Sequence, residues 1–146
     1  MPRPTQTPIG MELAGVARDV GRAFDAALAR AGGSRPMWLV LLSLKSRPTA
    51  NQRELAAAVG IQDATLTHHL NRMVHDGLIE RHRDPANRRN QIVTLTAAGE
   101  ALFATLLTTV TAFDRRIRVG FSATELDTVR QLLARLRTNV EEDTAR

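Results

Sequence analysis

The segment from Asn51 to Thr96 constrains the fold of this chain more than any other part of its sequence. It holds two short helical patterns, which end at Gly60 and Gly77, and then two β-prone runs, 78–83 and 91–96. Glycine favours helix ends because it adopts the left-handed backbone conformation without a steric cost. A cluster of turn residues separates the two runs. The order of these patterns predicts a helix-turn-helix followed by a β-hairpin.

Two capping signals compete for the start of the first helix of this segment. Thr49 with Gln52 fits one capping box, and Asn51 with Glu54 fits another. In either box a short polar side chain accepts a hydrogen bond from a backbone N–H group that the first helical turn leaves without a partner. The sequence leaves both starts open.

The second helix of the segment has an apolar face, predicted to be buried, at Leu66, Leu70, Met73 and Val74. Its outward face carries the hydrogen-bonding side chains of Thr65, His68, Asn71 and Arg72. Thr67 lies on the flank of this face. A helix fits the major groove of DNA, where such side chains contact base edges. The N-terminal part of the helix makes these contacts, so Thr65, Thr67 and His68 are the first candidates. A solvated surface helix shows the same pattern, and the helix alone does not establish DNA binding.

The hairpin concentrates the positive charge of the segment. Residues 51–96 hold six Arg against five Asp or Glu, so the segment as a whole is nearly neutral. Between positions 81 and 90, four arginines face only one acid, Asp84; they are Arg81, Arg83, Arg88 and Arg89. At the tip of a hairpin, Arg88 and Arg89 can reach a minor groove or phosphates. The helix pair and the charged hairpin together indicate a winged helix-turn-helix that binds duplex DNA.

Amphipathic helices are predicted on both sides of this segment. In the first, Thr7 fits an N-cap that precedes Pro8 as the first helical residue. Ser122 with Glu125 forms a capping box for the last helix, which follows a long helix that opens at Ala97. The predicted order is α-α-α-α-β-β-α-α, a mainly α fold with a small β-hairpin wing.

Short motifs in and after the helix-turn-helix point to a known family. They are Arg53-Glu54-Leu55-Ala56, Gly60-Ile61, Leu66-Thr67-His68-His69-Leu70, Asp76-Gly77-Leu78-Ile79-Glu80-Arg81, Asp84-Pro85, Arg88-Arg89, and Val93-Thr94-Leu95-Thr96 with Gly99. With these motifs the chain resembles the MarR family of bacterial winged helix-turn-helix transcription regulators, and the resemblance spans nearly its whole length.

The resemblance implies a homodimeric repressor that binds a palindromic operator in double-stranded DNA. It implies one domain over residues 1–146, in which dimerisation helices at 8–31 and 97–142 flank a winged helix-turn-helix lobe at 49–96. The terminal patterns agree, because they carry more apolar surface than one small lobe can cover. The residues assigned to DNA binding are Thr65, Thr67, His68, Asn71, Arg72, Arg81, Arg88 and Arg89.

Relatives in this family also bind small aromatic or anionic effectors. The residues predicted to line such a pocket are Met37, Trp38, Leu41 and Leu42, for which core packing is the alternative role. Two positions depart from the family pattern: relatives often carry Asp where Asn87 stands and Arg where His68 stands. The acid usually steadies a wing arginine, so the rigidity of this wing and its base preference do not follow from relatives.

Other functions find less support in the sequence. Without Cys the chain forms no disulfide or thiolate site, and His68, His69, His75 and His82 lack the helical spacing of a metal site. We therefore expect no metal and no other cofactor. No catalytic motif or targeting segment is present, which predicts a cytoplasmic protein that is not an enzyme. The alternative function is a small-molecule-binding or protein-interaction dimer of the same fold with weak DNA affinity, which the near-neutral charge of residues 51–96 favours.

Overall fold

A computed structural model describes residues 6–48 and 50–144, and the side chains of these residues as far as Glu141. The helices are α1 (Ile9–Arg30), α2 (Arg35–Ser46), α3 (Gln52–Val59), α4 (Asp63–His75), α5 (Ala97–Ile117) and α6 (Ala123–Thr144). The strands are β1 (Ala50–Asn51), β2 (Ile79–Arg83) and β3 (Gln91–Leu95). The contacts divide the chain into two compact units, Met1–Thr111 and Ala112–Arg146. The mainly α fold with a small β wing is confirmed.

The helix α1 begins one residue later than predicted. Pro8 has an extended ψ of 134° and is itself the N-cap, without a side-chain capping bond. The backbone N–H groups of Met11 and Glu12 both donate to the Pro8 carbonyl, so the first helical hydrogen bonds run to this residue. The prediction of Thr7 as N-cap and Pro8 as first helical residue was therefore wrong, because Pro8 remains extended.

The helix α2 forms the centre of the first unit. Ser34 caps it, since the Ser34 hydroxyl accepts a hydrogen bond from the Met37 backbone N–H at 3.3 Å. Its buried side chains are Trp38, Val40, Leu41 and Leu44. The Trp38 ring stacks on Phe103 of α5 with 5.4 Å between ring centroids. The helix packs against α3, α4 and β3, and its apolar character on most sides reflects these several neighbours.

The helix α3 starts at the second of the two competing signals. The Asn51 side chain accepts from the Glu54 backbone N–H at 2.8 Å, and the Glu54 carboxylate accepts from the Asn51 backbone N–H at 3.2 Å. This reciprocal pair is the capping box. The rival start at Thr49 lies outside the described residues. At the other end Gly60, with a φ of 72°, has the left-handed conformation expected of a helix end.

The buried face of α4 is narrower than the sequence predicted. Leu66, Leu70 and Met73 are buried, whereas Val74 is 39% exposed. The prediction that Val74 is buried was wrong. Each residue of a helix is rotated by about 100° from the one before it, so the Val74 side chain points away from the stripe that Leu66, Leu70 and Met73 form. The core closes over that stripe, and Val74 falls at its edge.

The hairpin forms as predicted, and a third strand joins it. The antiparallel pairing of β2 and β3 runs from Ile79 opposite Leu95 to Arg83 opposite Gln91. The strand β1 pairs with the other edge of β3, so the sheet order is β1-β3-β2. A strand of two residues is too short to show a periodic pattern, so sequence reasoning missed β1. Because Asn51 is both a strand residue and the N-cap of α3, the sheet fixes where α3 begins.

A close backbone approach joins the end of β3 to the exit of α4. The Thr96 hydroxyl donates to the Gly77 carbonyl at 2.6 Å and accepts from the Gly99 backbone N–H at 3.1 Å. A Cβ atom at Gly99 would overlap the Leu78 carbonyl oxygen. The position therefore requires glycine for lack of space.

The second unit holds the end of α5 and the whole of α6. Its predicted capping box is confirmed, because the Ser122 hydroxyl accepts from the Glu125 backbone N–H at 3.2 Å and the Glu125 carboxylate accepts from the Ser122 N–H at 2.8 Å. Several large apolar side chains of this unit are exposed; they include Ile117, Val119, Phe121, Val129, Leu132 and Leu133.

We expect Gly99→Ala to lower the free energy of unfolding by about 1–3 kcal/mol, because the backbone must shift to admit the methyl group. Urea denaturation followed by circular dichroism measures the change. The matched control is Gly10→Ala, where nothing lies within 4 Å of an added Cβ. The control should keep or slightly raise stability, since alanine favours a helix over glycine. Equal effects of the two substitutions would contradict the close approach.

Candidate nucleic-acid interface

The outward face of α4 is open to solvent. Thr65, His68, Asn71 and Arg72 are all exposed, as the sequence predicted. Arg72 pairs with Asp76 one turn later at 3.5 Å, and its side chain remains 75% exposed. The His68 ring meets the edge of His69 with 5.8 Å between centroids. These side chains form a polar face of the kind that a major groove accepts.

Thr67 differs from its neighbours on α4, because it is half-buried and its hydroxyl already has two partners. The hydroxyl donates to the Asp63 carbonyl at 2.9 Å. It also accepts a hydrogen bond from the side-chain amide of Gln52, the first residue of α3, at 2.6 Å. Sequence reasoning missed Gln52, because no spacing signal relates it to a residue of the next helix. The base-contacting role of Thr67 stays a prediction.

We define the wing as β2, β3 and the turn between them. Backbone hydrogen bonds hold the tip of the wing. The N–H groups of Asp84, Asn87 and Asn90 donate to the carbonyls of Asn90, Asp84 and Asn87, respectively, over 2.9 to 3.2 Å. In addition, the Asn87 side chain accepts from the Arg89 backbone N–H at 3.2 Å. Asn87 thus supports the turn without the negative charge that an aspartate would bring. Arg88 and Arg89 lie exposed at this tip.

A polar cleft of about 670 Å³ opens between the beginnings of α3 and α4 and the wing. The residues that line it are Asn51, Gln52, Arg53, Asp63, Thr67, Arg81, Arg89, Asn90 and Gln91. Three arginines, Arg53, Arg81 and Arg89, thus line the cleft together with one acidic residue, Asp63. The N-termini of two helices add partial positive charge. The cleft is therefore suited to an anion.

Among the residues that line the cleft, Arg81 has buried hydrogen-bond donors without a partner. Its Nε and Nη2 atoms are buried and have no hydrogen-bond partner among the residues that the structure describes. A buried charged donor without a partner is costly. The structure places Arg81 and Arg89 in one cleft and adds Arg53, which sequence reasoning did not single out. The assignment of Arg81 and Arg89 to DNA binding stays a prediction.

The residues predicted to line an effector pocket have different environments. Trp38 and Leu41 are buried in the core, and Met37 packs against it. Leu42 is 38% exposed. It lines a separate groove of about 520 Å³ beside α3, whose walls contain none of the other three. The effector pocket stays a prediction.

Metal-binding clusters and membrane-spanning helices are two further features that the described residues can be compared with. Among the side chains of residues 6–48 and 50–141, no group of three or more His, Asp or Glu is placed to hold a metal ion. Over the same part of the chain, no helix has both the length and the apolar composition that crossing a membrane requires.

Comparisons with known proteins agree with this geometry. Residues 34–90 match the sequence model of the MarR family. Among solved structures, the transcriptional repressor CouR bound to a 23-mer DNA duplex is 27% identical, with a TM-score of 0.80 over 89% of this chain and 92% of that chain. A mutant of MarR from E. coli complexed with operator DNA is 24% identical, with a TM-score of 0.79 over 88% of this chain and 93% of that chain.

A third solved structure concerns regulation by a small molecule. BpsR from Bordetella bronchiseptica, whose DNA binding is regulated by 6-hydroxynicotinic acid, is 21% identical, with a TM-score of 0.72 over 86% of this chain and 98% of that chain. Of these three structures, those of CouR and of the mutant MarR contain bound DNA. The stretch that matches the family model contains the residues that line the cleft, apart from Gln91. Residues 34–90 of this chain therefore match the MarR family of transcription regulators, and the chain shares the winged helix-turn-helix fold of the solved MarR-family structures.

Proposed function

We propose that this chain is a homodimeric repressor that binds a palindromic operator in double-stranded DNA. The observation that carries the proposal is the cleft, in which Arg53, Arg81 and Arg89 lie beside the exposed polar face of α4. Phosphate contacts supply most of the binding strength of such proteins, and base contacts supply the selectivity. The two surfaces lie next to each other, as a winged helix on duplex DNA requires.

The cleft supplies the phosphate contacts. A guanidinium group donates two parallel hydrogen bonds to a phosphate, and three arginines, Arg53, Arg81 and Arg89, line the cleft. Arg89 borders the same cleft, and Arg88 beside it extends the contact to the minor groove. The near-neutral total charge of residues 51–96 does not weigh against this role, because the positive groups are gathered on one side.

The outward face of α4 supplies the base contacts. Thr65 and His68 lie near the N-terminal end of the helix, which enters the groove first. Arg72 lies one turn further along. Its ion pair with Asp76 is long and exposed, and such pairs contribute little stability. Arg72 can therefore exchange Asp76 for a guanine or a phosphate at little cost.

Dimerisation follows from apolar surface that each unit leaves exposed. In the first unit an exposed row on α1 recurs at helical spacing, at Ile9, Leu13, Val16 and Val20. In the second unit α6 carries apolar residues three and four positions apart, the spacing of a helix-pairing seam, at Leu126, Val129, Leu133 and Leu136. Val129 and Leu133 are exposed. A symmetric dimer would bury these residues and present two clefts to the two halves of an operator.

We extend the proposal to a small aromatic or anionic effector that releases the DNA. The support for this step is the relative BpsR, whose DNA binding responds to 6-hydroxynicotinic acid. An effector acts by binding the released state more tightly than the DNA-bound state. The predicted residues are Met37, Trp38, Leu41 and Leu42, and substitution of Leu42, which is the most exposed of the four, is the least disruptive way to probe them.

Fluorescence anisotropy with duplexes from the DNA that flanks the coding region tests the proposal. We expect one duplex to bind well below about 1 µM protein, whereas nonspecific binding is weaker than about 1 µM at physiological salt. A scrambled duplex of the same composition is the control. If no duplex binds more tightly than about 1 µM even at low salt, the proposal is wrong.

We expect Arg89→Ala and His68→Ala to act differently. Arg89→Ala should weaken binding to operator and scrambled duplex alike and reduce the slope of log affinity against log salt by about one unit for each phosphate that the variant no longer neutralises. His68→Ala should change the preference between duplexes by about 1–3 kcal/mol and leave the slope unchanged. Arg30→Ala, at the exposed end of α1, is the control for loss of a positive charge. The division of roles is wrong if the two variants give the same profile.

We expect Leu133→Glu to convert the dimer to monomer, with dimer affinity reduced by about 100-fold or more, because each subunit would bury an unpaired carboxylate. Sedimentation velocity measures the change, and DNA affinity should fall with it. Thr138→Glu adds the same charge on the opposite face of α6, where the side chain is exposed, and should leave the dimer intact. A wild-type chain that is monomeric at micromolar concentration would contradict the proposed dimer.

A further inference from the structure

A single side chain connects the start of α3 with the first turn of α4. The Gln52 amide nitrogen lies 2.6 Å from the Thr67 hydroxyl oxygen. Both residues are half-buried, so water competes less for this hydrogen bond than for one on the surface. Thr67 in turn donates to the Asp63 carbonyl at 2.9 Å, which extends the connection to the first residue of α4.

The chemistry of the hydroxyl fixes the direction of the bond. A threonine hydroxyl has one proton, and here that proton goes to the Asp63 carbonyl. The group that faces the remaining lone pairs must therefore be a donor, which orients the amide nitrogen of Gln52, rather than its oxygen, toward Thr67. The connection runs in one direction, from the Gln52 amide through the Thr67 hydroxyl to the α4 backbone.

Among the residues that the structure describes, the remaining contacts between α3 and α4 are those of apolar side chains. The buried residues that α3 and α4 contribute to the core are Leu55, Ala56, Val59, Leu66, Leu70 and Met73. Apolar contacts are not directional, so they define the rotation of a helix about its axis less sharply than a hydrogen bond between two named atoms does. A rotation of about 20° moves side-chain ends about 5 Å from the axis by about 2 Å. That displacement is larger than a hydrogen bond to a base edge tolerates.

We propose that Gln52 is a positioning residue for sequence recognition, which acts through Thr67 to fix the rotation of the first turn of α4. The proposal rests on the proposed function, because it concerns how Thr65 and His68 meet base edges. It assigns Thr67 to the support of the helix, with its hydroxyl engaged inside the protein. Selectivity then depends on a glutamine that lies on the preceding helix and outside the set predicted from sequence.

The test is a double-mutant cycle with Gln52→Met and Thr67→Val in the full-length protein. Each substitution keeps the approximate shape of the side chain and removes one side of the hydrogen bond. The readout is the ratio of affinities for the preferred and scrambled duplexes. We expect each single variant to reduce this ratio by about fivefold to tenfold, and the double variant to reduce it no further, because the two residues act as one unit.

The salt slope should stay unchanged, since no charge is removed. Because Gln52 and Thr67 line the cleft, loss of a phosphate contact there would lower both affinities equally and leave the ratio unchanged. Gln62→Met is the matched control, because Gln62 is the N-cap of α4 and makes no side-chain capping bond. If the Gln62 side chain binds a phosphate, its substitution weakens binding to both duplexes equally and leaves the ratio unchanged. Gln52→Asn keeps the amide but is too short to reach Thr67, so it should behave as Gln52→Met does.

Thermal unfolding without DNA separates this proposal from the proposed function. It compares the wild-type protein, Gln52→Met, Thr67→Val and the double variant. A less-than-additive loss of stability in the double variant shows that the bond forms. If the wild-type protein prefers its operator but Gln52→Met keeps the full ratio, or if the two substitutions reduce the ratio additively, the positioning role is wrong. If the wild-type protein prefers no duplex, the proposed function fails and the positioning role for recognition fails with it, even where the stability cycle shows the bond.

Discussion

The burial of α2 is the constraint on which the rest of the first unit depends. Its side chains Trp38, Val40, Leu41 and Leu44 are nearly inaccessible, and α3, α4 and β3 all pack on this helix. Because interiors are packed as densely as organic crystals, a helix with neighbours on several sides admits few arrangements of them. Apolar contacts, rather than contacts of the polar residues themselves, therefore set the positions of the elements that carry the polar residues.

The polar groups then refine this arrangement. Asn51 pairs with β3 and also caps α3, and Gln52 extends from the start of the same helix to Thr67 on α4. Directional hydrogen bonds at the beginnings of two helices set the walls of the cleft, while the wing closes it from the other side. In the cleft the buried donors of Arg81 lack a partner within the described part of the chain.

Much of the fold could be predicted from local signals. Gly60 and Gly77 end the helices where expected, the box of Ser122 and Glu125 starts α6, and the charged hairpin forms in its predicted place. The errors concern features that local patterns do not determine. Pro8 could end the extended chain or begin the helix, and only the backbone hydrogen bonds to its carbonyl decide between them. The strand β1 is too short to carry a period, and Val74 lies one residue beyond the line that the core covers.

The sequence by itself determined the two helices, their glycine ends, the charged wing and the resemblance to the MarR family, because each depends on residues close together in the chain. Only the tertiary structure decided which residues share the cleft. Arg53, Thr67, Arg81 and Arg89 come from α3, α4, β2 and the tip of the wing, and their meeting depends on how those elements pack. The same reason applies to Gln52, whose partner lies on another helix: spacing along the chain specifies neighbours within an element, and packing specifies neighbours between elements.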